Sequence, residues 1–184
     1  MPPALRKFVL AVHLIVSVGG LGAVAAYIPF DLSTVTSRDP QTLRAAYSAM
    51  DLIAGSVIVP LALASLLTGL VVSLGTKWGL FRHYWVLISL VVTTLATVVL
   101  LAETRTISYL AEMAAGPVTS GDRLRALPST LGHSVGGTVV LLVVLVLNVY
   151  KPRGMTRYGW RKEEKRRRAL RRSRRDKERT VLQP

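Results

Sequence analysis

A few ionisable side chains stand within or beside long apolar stretches of this 184-residue chain, and they are the groups with which it could do chemistry. A titratable group placed in hydrocarbon is costly and by default suggests a functional site. His13 lies early in the first apolar stretch, and His83 lies at the start of the third, at a similar expected depth. A neutral imidazole is a metal ligand, so His13 with His83 could supply the axial pair of a b-type haem. The same residues allow a simpler reading, in which His13 is hydrogen-bonded to a neighbouring helix and His83 is interfacial. A second group, Asp51, Glu103, Arg105 and His133, falls near the opposite boundary on three different segments. Carboxylates beside a histidine could bind a divalent cation or relay protons, and equally could form a structural network at the water interface. At ~1.5 Å per helical residue, His13 and His133 should differ in depth by roughly 15–20 Å, too far to share one ion. Asn148 is expected to hydrogen-bond between helices.

Soluble catalytic motifs are missing. The chain has no cysteine, which removes thiolate nucleophiles, disulfides and iron–sulfur ligation. Walker, GxGxxG, HExxH and GxSxG patterns do not occur. No metal site and no catalytic residue is therefore assigned, and the chain reads more readily as a non-enzyme than as an enzyme.

The elements that must position these residues are set by hydropathy. Half of the chain is apolar, 51%, and the apolar residues collect in blocks at about 8–28, 52–74, 84–102 and 131–150. Runs of about 18 or more apolar residues indicate helices that cross a bilayer, where every backbone polar group must be satisfied within its own segment. The expected fold is therefore all-α: a polytopic bundle of four transmembrane helices over residues 1–150, followed by a basic cytoplasmic tail or helix over 151–184. Pro29 and Asp31 are expected to close the first span. Asp39-Pro40 predicts a capped helix start ahead of the second span, so that Arg44, Tyr47 and Asp51 share one face of a projecting turn or two. Pro60 predicts a kink near Ser56. The third helix should continue beyond its span to a stop at Gly116-Pro117, and Lys151-Pro152-Arg153-Gly154 should end the fourth. Small residues, Gly19, Gly20, Gly22 and Ala23 in the first helix and Gly132 with Gly136 in the fourth, are expected to pack helices within the bundle or, alternatively, to form a homodimer seam.

Charge orients this arrangement. With both termini inside, the inner segments carry 19 lysines and arginines and the outer loops carry five, the asymmetry of the positive-inside rule. Trp78, Trp85 and Trp160, with Tyr84, Tyr150 and Tyr158, fall at the same inner boundary, where amphipathic rings are favoured. A competing expectation treats Arg6-Lys7, the first apolar block and Ala23-Val24-Ala25 as a cleaved signal peptide; the block's length argues against it. The tail holds 15 basic and four acidic residues, with Lys151, Arg153, Arg157, Arg161 and Lys162 nearest the bilayer. Such clusters are attracted to anionic lipid headgroups at about 1 kcal/mol per residue. Ribosomal RNA or an acidic protein could attract the same charge, but no sequence-specific nucleic-acid module is present.

At His13 with Gly19-Gly20-Leu21-Gly22, at Leu67-Thr68-Gly69-Leu70, at Gly132-His133-Ser134-Val135-Gly136-Gly137 and at Tyr150-Lys151-Pro152-Arg153-Gly154, the chain resembles a family of predicted bacterial four-helix integral membrane proteins of unknown function. The resemblance covers about residues 5–162, and it extends distantly to membrane proteins of the copper-resistance D type and the haem-associated protoporphyrinogen oxidase type. It implies a multi-pass protein of the bacterial cytoplasmic membrane. The oxidase-type pattern uses an intramembrane lysine, which this sequence lacks within its spans. Three functions follow as expectations: a non-catalytic scaffold or accessory subunit with no cofactor, contacting lipid headgroups, a membrane-protein partner or a second copy of itself; a haem b or redox protein using His13 and His83; and a small-ion transporter working through the outer polar cluster.

Overall fold

A computed structural model describes residues 2–75, 81–116, 120–152 and 154–181. The chain is all-α, with no strand among the described residues and four helices long and apolar enough to span a membrane. Helix α1 covers Pro3–Thr36. Helix α2, Pro40–Ile53, continues through a π-helical turn, Ala54–Ile58, into α3, Val59–Gly75. Helix α4 covers Tyr84–Ala115, the short α5 Gly121–Arg125, α6 Leu131–Tyr150 and α7 Arg157–Val181. Lys77, Trp78 and Arg153 lie outside the described residues.

The helices form a ring. Helix α1 packs on α2–α3 and on α6, and α4 packs on α2–α3 and on α6. Few side chains in the apolar windows are fully buried, and Phe8, Ile15, Leu67, Leu95 and Val149 face outward, as a bundle solvated by lipid tails requires. The tightly buried core lies instead at the bundle end that carries α5. Leu43 and Tyr47 of α2 meet Leu110, Ala111 and Ala114 of α4 and Leu124 of α5. A second cluster joins Tyr27, Met50, Ala54, Ile58 and Ile107.

Local chemistry explains several boundaries. The Asp39 carboxylate accepts from the Gln41 and Thr42 backbone N–H groups with Pro40 at the first helical position, so α2 starts where its capping signal predicts. The π-helical turn lies where Pro60 cannot supply the N–H that would bond the carbonyl four residues earlier. Helix α6 ends on Lys151, the one described non-glycine residue with positive φ, 46°, whose N–H caps the Leu147 carbonyl.

Two expectations differ from the structure. Pro29 and Asp31 do not end α1, which continues to Thr36; a proline inside a helix removes one hydrogen bond, and the following turns are held by burial of Asp31 and Thr34. Gly19 and Gly20 do pack closely, on Leu61 of α3, but an added Cβ at Gly22, Gly132, Gly136 or Gly137 would meet nothing within 4 Å. The paired glycines of α6 therefore serve no close helix contact among the described residues.

Candidate functional site

The His13 imidazole reaches α3, where Nδ1 lies 3.0 Å from the Thr68 hydroxyl oxygen. Thr68 already donates its proton to the Ala64 carbonyl at 2.6 Å, so its oxygen accepts and His13 carries its hydrogen on Nδ1. That tautomer leaves the Nε2 lone pair free, as a metal ligand would need. The ring edge, however, is seated on Gly69: a Cβ there would fall 3.0 Å from Cε1 and 3.6 Å from Nε2. One turn further along, Ser17 and Ser65 share a hydrogen bond of 2.7 Å. His83 has other neighbours, with its backbone in a bridge to Met155 and its ring centroid 6.5 Å from that of Trp85. His13 and His83 are thus held by different neighbours, His13 by Thr68 and Gly69 of α3 and His83 by Met155 and Trp85.

At the α5 end, the polar residues separate into two pairs. Asp51 of α2 accepts from the Ser108 hydroxyl of α4 at 2.6 Å, and His133 of α6 lies 3.4 Å from Glu103 of α4. Arg105 is exposed and lines an open groove with Thr104, Ser108 and Glu112 on the α3–α4 side. The four expected members of this cluster thus lie at one end of the bundle as two polar pairs, Asp51–Ser108 and His133–Glu103, with Arg105 on the open groove beside Ser108. Among the described residues, no group of three or more histidine and carboxylate side chains is arranged to hold a metal ion.

The sequence reading missed the most enclosed polar group, Asp31. Its side chain is 0% exposed. Thr130, the residue before α6, donates to one carboxylate oxygen at 2.9 Å, and Ser134 in the first turn of α6 donates to the other at 2.6 Å. Both donors are neutral hydroxyls, and the positive end of the α6 dipole lies beside them. Tyr27 and Thr34 flank Asp31 at helical spacing on the same buried face of α1. The spacing was legible: Tyr27, Asp31 and Thr34 continue an i, i+4, i+7 face through Pro29, and Thr130 and Ser134 are four apart at the opening of α6.

Comparison with protein-family models, with curated proteins and with solved structures finds no match.

On the opposite side of the bundle, α7 is fastened to the turn before α4. Thr156 donates its backbone N–H to the Arg82 carbonyl at 2.9 Å and its hydroxyl to the Phe81 carbonyl. Arg82 forms a partly buried ion pair with Glu163 at 3.3 Å. A Cβ at Gly159 would fall 2.5 Å from the Arg82 carbonyl oxygen, so only glycine allows this approach. Lys151, Arg157, Arg161 and Lys162 are all exposed on this side, with the Lys162 ammonium 5.9 Å from the Tyr158 ring centroid. Asn148 bonds the Val144 carbonyl of its own helix at 2.9 Å rather than a neighbouring helix.

Proposed function

We propose that this chain is a non-catalytic scaffold or accessory subunit of the bacterial cytoplasmic membrane, with both termini cytoplasmic and the start of α7 against anionic headgroups. One observation carries this reading: polar pairs join neighbouring helices around the bundle. His13–Thr68 and Ser17–Ser65 join α1 to α3; Asp31 joins α1 to α6 through Thr130 and Ser134; Asp51–Ser108 joins α2 to α4; His133–Glu103 joins α6 to α4. Each interface of the ring has a polar tie. In lipid, such hydrogen bonds hold helices together where hydrophobic burial cannot. His13, Asp51, Glu103 and His133, candidates for chemistry in the sequence, each meet a polar partner on a neighbouring helix. The 19 basic residues on the tail side against five on the other support the orientation, and the exposed Lys151, Arg157, Arg161 and Lys162 support headgroup contact.

The test is an optical spectrum of the full-length protein purified in mild detergent from haem-replete cells, together with ion flux into proteoliposomes. A colourless protein that leaves vesicles tight to protons, sodium and potassium agrees with the scaffold. A stoichiometric Soret band lost in His13→Ala, or ion flux above that of empty vesicles, overturns it. Headgroup contact is read separately: changing Lys151, Arg157, Arg161 and Lys162 together to Gln should strip co-purifying anionic lipid while leaving zwitterionic lipid unchanged.

A further inference from the structure

Asp31 has been described so far as a tie between α1 and α6, but two features of its surroundings exceed what a tie needs. The first is charge. An anionic carboxylate closed off from water needs compensation, and among the described residues Asp31 makes no ion pair; the hydroxyls of Thr130 and Ser134 donate to it. The neighbourhood adds negative charge, since the carboxylates of Asp31, Asp51 and Glu103 all lie within electrostatic reach of the Tyr27 hydroxyl. Of these, Glu103 lies 3.4 Å from His133, and Asp51 accepts from the Ser108 hydroxyl.

The second feature is an unpartnered oxygen. Tyr27 is 4% exposed, and its buried hydroxyl has no partner in hydrogen-bonding geometry among the described residues, Thr130 being near enough only for a weak contact. Buried hydroxyls without partners are rare, and each calls for an account such as an ion or a water. Here the orphan stands next to the threonine that holds the enclosed carboxylate.

We propose that Asp31, Thr130, Ser134 and Tyr27 form a buried site for a dehydrated alkali-metal cation of the sodium class, held between α1 and the start of α6. A hydroxyl that donates its proton to a carboxylate keeps lone pairs for a cation, so Thr130 and Ser134 can serve Asp31 and the ion together. Tyr27 supplies a further oxygen. All the donors are hard oxygens, which suits this class of ion. The net ligand charge of one carboxylate neutralises one positive charge; a divalent ion would leave a surplus in a low-dielectric site and ordinarily draws on more carboxylates. The inference is independent of the scaffold reading, because a bound ion that locks two helices neither requires nor implies transport.

The experiment uses full-length protein in detergent, with 22Na+ binding measured by scintillation proximity and thermal unfolding followed by tryptophan fluorescence. Choline replaces sodium at constant ionic strength. The wild type should bind one sodium per chain, and its Tm should rise by about 5–10 °C on reaching about a hundredfold excess over the dissociation constant. Asp31→Asn should lose binding and the sodium-dependent rise. Tyr27→Phe and Thr130→Val, which remove single oxygens at nearly constant shape, should each weaken sodium binding about tenfold or more; they decide the matter if Asp31→Asn does not fold. A folded wild type that binds no sodium overturns the proposal and leaves Asp31 held by its hydroxyls and the end of α6 alone. Undiminished sodium binding in both Tyr27→Phe and Thr130→Val overturns it equally, by placing the ion elsewhere.

Discussion

Gly69 and His13 occupy one place between them, and the strictness of that fit can be measured. A methyl at position 69 would stand 3.0 Å from His13 Cε1, closer than ordinary van der Waals contact, so Gly69→Ala should destabilise the bundle by about 1–3 kcal/mol through overpacking. His13→Ala removes both the obstruction and the bond to Thr68. The double variant should therefore recover most of what Gly69→Ala loses, and thermal unfolding of the four proteins in detergent measures the coupling; strictly additive losses would contradict the contact. At the start of α2, Asp39 makes a prediction of a different kind. Hydrogen bonds from the Thr42 hydroxyl and from the Thr42 and Gln41 N–H groups hold its carboxyl below the ordinary value of 3.8. A folded-state value lower than the unfolded one stabilises at pH values above the unfolded value, and that contribution is lost as pH falls through the folded value. The wild type should accordingly lose its advantage over Asp39→Asn only below pH 3.8, whereas a difference already changing between neutral and mildly acidic pH would contradict this account. The sequence singled out both His13 and Thr68-Gly69 without pairing them. Periodicity gives the face of a helix; it does not say which residues meet across two helices.

Helices were more legible than contacts because lipid thickness dictates their length. Four apolar blocks of spanning length left little choice, and the Asp39-Pro40 and Pro60 signals act through the backbone within a turn of their own position. The continuation of α1 beyond Pro29 was not legible on the same terms, since a proline costs a helix one hydrogen bond and tertiary burial of Asp31 and Thr34 can outweigh that cost. Helix α7 extends the point to the other end of the molecule. Its composition predicts a charged, solvated helix, but not that it is fastened at its first turn by Gly159 against the Arg82 carbonyl and by Glu163 with Arg82. Gly159→Ala places a carbon 2.5 Å from that carbonyl oxygen and should push the first turn of α7 away. Tryptic cleavage after Arg161 and Lys162 should then accelerate several-fold relative to the wild type, with Ser173→Ala, further along the exposed helix, as the unaffected control. Equal cleavage rates in Gly159→Ala and the wild type would mean that α7 is not held in this way.

For the molecule as a whole, composition divides the two ends of the bundle before any contact is considered. One end gathers the basic tail, and the other carries near-neutral loops, the α5 core and the enclosed Asp31. Lysine and arginine bias in short flanking segments sets which end stays in the cytoplasm, so the basic end should be inside. The chain has no cysteine, which makes the expectation testable without removing native thiols. Ala126 follows α5 at the end away from the tail and Ser173 lies on α7, and both are exposed. In intact cells, a membrane-impermeant maleimide applied from outside should label Ala126→Cys and spare Ser173→Cys, and permeabilisation should make the second label as fully as the first. The reverse pattern would invert the topology. It would also take the basic helix away from the anionic leaflet and so count against the proposed headgroup contact.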